Sequence, residues 1–118
     1  MPQQLGRHRR SKRLEVAIPV RVYGRTVDNR PFRHTTETKA VSVHGGVLPL
    51  KAHVKAGQTL LLVNVVTEEE RECRVVYVKS NLLSRKVAVE FTNSSGDFWH
   101  VYNAVVRMKQ HQAEVLTR

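Results

Sequence analysis

The chain has 118 residues, 41% hydrophobic and 25% charged, with a formal net charge of +10. Such a chain is one globular domain with enough residues to bury a core, and its patterning excludes a disordered tail protein. A single cysteine excludes an internal disulfide and a cysteine-rich zinc site, no apolar run is long enough to span a bilayer, and the positive excess calls for an anionic partner.

Residues 1–8 read as a flexible tail and 9–118 as one domain. Arg7, Arg9, Arg10, Lys12 and Arg13 form a basic block with no acid. It runs directly into residues 14–23, where Leu14, Val16, Ile18, Val20 and Val22 alternate with other residues, the period of a half-buried strand. Pro19 lacks an N–H, so this strand is expected to have an edge or a bulge there. Residues 24–31 read as a loop and 32–44 as a second strand. Gly45 and Gly46 mark a turn or a close backbone approach. A short strand follows at 47–50, then an apolar strand ending near Val66. Residues 67–70 form a hairpin tip, and two further strands flank residues 81–83.

The period then changes. Phe98, Val101, Tyr102, Val105 and Met108 recur at helical spacing, and Ser94 with Asp97 resembles a capping box. The predicted architecture is all-β with one helix: a small six-stranded antiparallel barrel capped by a C-terminal α-helix from about residue 95.

Few residues offer catalytic chemistry. The six histidines (8, 34, 44, 53, 100, 111) lack zinc-helix spacing, and Glu68, Glu69 and Glu70 read as a solvated tip. Cys73 falls inside a strand and reads as structural. Phe98 and Trp99 are candidates for stacking on a base, but beside a barrel they fit the core better. No phosphate loop or dinucleotide fingerprint is present. The expectation is a binding protein rather than an enzyme, with no cofactor or metal.

Two short patterns stand out. Arg9 and Arg13 form R-x-x-x-R immediately before the first strand, and Ser42 precedes Gly45 by three positions at the close of the next. In this order the sequence resembles the PilZ domain family, whose signature is R-x-x-x-R before the first strand and D/N-x-S-x-x-G ending a following one. The segment VAVEF (87–91) is also similar to the family's last strand, and the likeness extends over roughly residues 9–110. It implies a bacterial receptor for cyclic di-GMP that changes shape on binding and passes the signal to a protein effector; with no N-terminal apolar segment resembling a signal peptide, the cytoplasm is the expected compartment. It also implies that Arg9 and Arg13 grip phosphates and guanine edges, that Arg10 adds a contact, and that Ser42 and Gly45 line the mouth of the groove. The missing side chain of Gly45 would let backbone approach the ligand. One position departs from the pattern: Ala40 stands where the family has Asp or Asn, and Glu37 is no obvious substitute. Two alternatives therefore stand beside the receptor. One is a degenerate PilZ-like interaction module that does not bind the nucleotide; the other, motivated by the charge, is a small basic barrel that binds nucleic acid.

Overall fold

A computed structural model describes residues 13–93 and 96–100. These form one antiparallel sheet of seven strands: β1 (Pro19–Arg25), β2 (Pro31–Glu37), β3 (Ala40–Ser42), β4 (Gly45–Pro49), β5 (Thr59–Asn64), β6 (Glu70–Ser80) and β7 (Arg85–Phe91). The order is β2-β1-β5-β6-β7-β4-β3. Hence β2 and β3 lie at opposite edges, yet only Thr38 and Lys39 join them. Three Cα steps reach at most about 11 Å, so the two edges must come together. The sheet is curled into a half-barrel, and β2 also approaches β4.

Residues before β1 lace the seam. Leu14 and Val41 exchange both backbone hydrogen bonds at 2.9 Å. The buried Thr38 hydroxyl accepts from Ile18 N–H at 2.9 Å and donates to the Val16 carbonyl at 2.6 Å. Its own N–H donates to Ile18 O. A side chain thus stands in for a ladder where no strand partner exists.

This seam explains how the strands differ from the expected ones. The strand predicted over 14–23 begins only at Pro19, because the stretch before it pairs through Thr38 and a single bridge. Pro19 takes the first strand position, where a missing N–H is tolerated. The alternation still sets the faces correctly: Val16, Ile18, Val20 and Val22 are all buried. The single strand expected at 32–44 breaks at Thr38, where the chain passes from one sheet edge to the other. That break yields β2 and β3, and seven strands among the described residues instead of six.

The barrel interior holds aliphatic side chains closed at one end by aromatics. Phe91, Phe98 and Trp99 pack with ring centroids 4.9–5.8 Å apart, in tilted and edge-on arrangements. Phe98 and Trp99 are core residues, 1% and 2% exposed. Asn64 is also buried; its amide donates to the Phe98 carbonyl at 2.9 Å while its oxygen accepts from Val66 N–H. The helix expected from about residue 95 is absent over 96–100, which form bends. Asp97 does accept from His100 N–H, as a capping residue would, but His100 sits at φ 53°, left-handed, and turns the backbone off a helical path. The rest of the expected helix, and the tail at 1–8, lie outside the described residues.

Candidate functional site

The Ser-x-x-Gly spacing is a hairpin. Ser42 and Gly45 are cross-strand partners, with Val43 and His44 as the two-residue turn. The Ser42 hydroxyl accepts from His44 N–H at 3.2 Å and stiffens that turn. The serine thus has a role within the hairpin itself.

Both glycines are needed for close packing. A Cβ on Gly45 would stand 2.0 Å from the Val89 carbonyl oxygen and 2.9 Å from Glu90 Cα. A Cβ on Gly46 would stand 3.1 Å from the Trp99 ring, whose indole N–H donates to Gly45 O at 3.0 Å. The absent side chain of Gly45 thus admits the backbone of β7, which is a different reason from the expected approach to a ligand. The two glycines bind the hairpin to the strand beside it and to the aromatic end of the core.

Arg13, Ser42 and Gly45 line one cleft of about 190 Å³, together with His44, Gly46, Val76, Tyr77, Ala88, Val89 and Glu90. The cause is the Leu14–Val41 bridge, which pins the residue before Leu14 beside the β3–β4 hairpin. Arg9 and Arg10 lie outside the described residues. Ala40 and Ser42 are two apart in β3 and share its outer face, while Val41 between them points into the core. Glu37 lines a separate cleft with Glu15, Lys39 and Lys86. It does not supply the carboxylate that Ala40 lacks.

Sequence reasoning missed the far wall of the cleft. The β6–β7 register shifts between Val75 and Tyr77, a bulge that leaves both Val76 and Tyr77 facing outward. Tyr77 brings an exposed aromatic ring to the cleft and Glu90 an acid. The adjacent valines 75 and 76 break the alternation of the strand, and that doublet was the available signal. Among the described residues no cluster of His, Cys, Asp or Glu is arranged to hold a metal.

No family model and no curated protein matches this sequence. Solved structures do match. The inhibitor of motility MotI/DgrA from Bacillus subtilis aligns with a TM-score of 0.63 at 18% identity, over 88% of this chain and 52% of its own. The PilZ domain of YcgR from Escherichia coli, solved with c-di-GMP, aligns with a TM-score of 0.65 at 13% identity, over 91% of this chain and 98% of its own. The MrkH–c-di-GMP complex of K. pneumonia gives 0.65 at 13% identity, over 88% of this chain and 55% of its own. The chain thus spans about half the length of MotI/DgrA and MrkH and nearly all of the isolated YcgR domain. A curled antiparallel half-barrel, with a two-residue Ser-x-x-Gly hairpin bridged to Leu14, superposes on these structures over most of its length and gives this chain the fold of a PilZ domain.

Proposed function

We propose that the chain is a cyclic di-GMP receptor module that signals to a protein partner, and is not an enzyme. The observation that carries this reading is the Leu14–Val41 bridge, which seats Arg13 in one cleft with Ser42 and Gly45. Two neighbours in the same fold, YcgR and MrkH, were solved with c-di-GMP.

The chemistry of the cleft fits such a ligand. Arg13 offers a planar, permanently charged fork that matches phosphate oxygens or the O6/N7 edge of guanine. Tyr77 offers a ring face for a base. At about 190 Å³ the cleft is smaller than the roughly 300 Å³ at which pockets begin to enclose a drug-sized ligand. It takes one base and leaves the phosphates outside it. In this reading Arg9 and Arg10, just before Arg13, close over them. That closure converts binding into a changed surface for an effector.

Isothermal titration with cyclic di-GMP tests the reading. Wild-type protein is expected to give a saturable heat, and Arg9→Ala or Arg13→Ala each to weaken binding by about tenfold or more. No heat from the wild type at high ligand concentration overturns it. Ala40 favours a second reading in that event, since neither it nor Glu37 brings a carboxylate beside Ser42 on β3, and the acid that does line the cleft, Glu90, comes from β7: a PilZ-like module that works through protein contacts alone. A silent titration together with a stable complex recovered from a bacterial extract would establish that reading.

A further inference from the structure

The hairpin joining β6 to β7 carries two leucines in full solvent. Leu82 is 102% and Leu83 95% exposed, at a tip where every other large apolar side chain of the hairpin is better covered. The tip is not slack. Asn81 N–H donates to the Ser84 carbonyl at 2.9 Å, and the Asn81 side-chain oxygen accepts from Leu83 N–H at 2.8 Å and Ser84 N–H at 2.9 Å. The turn is built to hold the two leucines outward.

Cations surround them. Lys79 and Lys86 are direct cross-strand partners just below the tip. Like charges placed opposite each other destabilise a sheet, and neither lysine has an ion-pair partner among the described residues. On the other side the tip borders a groove of about 750 Å³ whose charged lining, Arg33, Lys51 and Arg85, is entirely basic. The Arg85 guanidinium donates to the Lys51 carbonyl at 2.6 Å, which ties the groove wall to the hairpin.

We infer that this tip is a docking surface for an anionic bilayer, Leu82 and Leu83 entering the headgroup–acyl boundary while Lys79, Lys86, Arg33 and Lys51 meet the lipid phosphates. The leucines stand in full solvent on a braced turn at the margin of that groove and so match a deformable apolar medium. A folded protein would need a preformed hole to receive them. The collar has the sign of charge that anionic headgroups attract, and such a surface would relieve the Lys79–Lys86 repulsion. No helix among the described residues is long and apolar enough to cross a bilayer, and the inference does not depend on the proposed nucleotide cleft, which lies further along the same hairpin at Val76, Tyr77 and Glu90.

Vesicle co-sedimentation of the full chain tests it, comparing pure phosphatidylcholine with phosphatidylcholine containing about a third phosphatidylglycerol. The wild type is expected to bind only the anionic vesicles. The double variant Leu82→Ser/Leu83→Ser should lower its partitioning by about tenfold or more. Lys79→Gln should lower it by about fivefold, as should Lys86→Gln. All these side chains are exposed, so thermal melting of the leucine variant should match the wild type, and Lys79→Gln or Lys86→Gln, which remove one of two opposed charges, should melt no earlier; if the double leucine variant melts early, the single Leu82→Ser change replaces it. Failure of the wild type to bind anionic vesicles overturns the inference. So does full binding by the leucine variant, which would leave only charge attraction and make an acidic protein or a nucleic acid the better occupant.

Discussion

At the scale of single residues, the proposed binding of cyclic di-GMP turns on what Ala40 cannot do. It shares the outer face of β3 with Ser42 and stands opposite Val47 on β4. A carboxylate there would accept from the N–H groups of a guanine held beside Arg13, whereas a methyl group accepts nothing. A hydrogen bond involving a charged group contributes roughly 1.5–3 kcal/mol, and each 1.4 kcal/mol is about tenfold in affinity. Ala40→Asp is therefore expected to tighten cyclic di-GMP binding by about ten- to a hundredfold, measured by titration against the wild type. Unchanged affinity would mean that position 40 does not face the bound base. Gly45 tolerates no such exchange, because its Cβ would overlap the Val89 carbonyl.

At the scale of elements, the β2–β3 junction decides whether the half-barrel holds together. Thr38 is 2% exposed, and its hydroxyl satisfies both Ile18 N–H and Val16 O. Thr38→Val keeps the shape and removes both bonds, leaving a buried donor and a buried acceptor unpaired. Each such orphan costs about 1–3 kcal/mol, so the variant should lose about 2–6 kcal/mol in urea unfolding. It should also loosen Arg13, because the segment that Thr38 holds is the one that leads to the Leu14 bridge. A loss below about 0.5 kcal/mol would mean that water replaces the hydroxyl.

The same junction shows why the sequence was only partly legible. Alternation correctly predicted that Val16, Ile18, Val20 and Val22 face the core, since burial follows the period of the side chains, but Leu14, expected on the same face, is 40% exposed. It did not reveal that Thr38 would replace the ladder before Pro19, because that pairing spans about twenty residues and leaves no periodic trace. The contiguity of Arg13 with Ser42 and Gly45 followed from the resemblance and not from spacing. The Val76–Tyr77 wall depended on a bulge, and only the doubled valine hinted at it. His100, whose left-handed backbone departs from a helix, broke a pattern that Phe98 and Asp97 had otherwise supported.

At the scale of the whole molecule, one side chain reports on the entire core. Cys73 lies in the first half of β6, fully buried and opposite Leu60 and Phe91. Loss of hydration on burial pushes its thiol up to about 12, from an ordinary 9.0. A thiol reagent at neutral pH therefore meets neither an accessible sulfur nor a thiolate until the barrel opens. Cys73 belongs to the same continuous core as Val20, Leu62, Phe98 and Trp99, so that opening is global. Because the folded thiol titrates above the unfolded one, its contribution to stability is fully present below the unfolded value of about 9 and declines as pH rises towards 12. Labelling should accordingly quicken in alkali beyond the reagent's own dependence on thiolate. A ligand that binds only the folded state slows global opening by a factor of one plus its concentration over Kd. With cyclic di-GMP at about a hundred times its Kd, Cys73 labelling should slow by about a hundredfold in the wild type. In Arg13→Ala, at the same ligand concentration, the slowing should be about tenfold smaller or less. Equal slowing in both proteins would place the ligand away from the Arg13 cleft. No slowing in a protein that demonstrably binds it would show that the thiol reacts through a local opening, with β6 less firmly held than its continuous core requires.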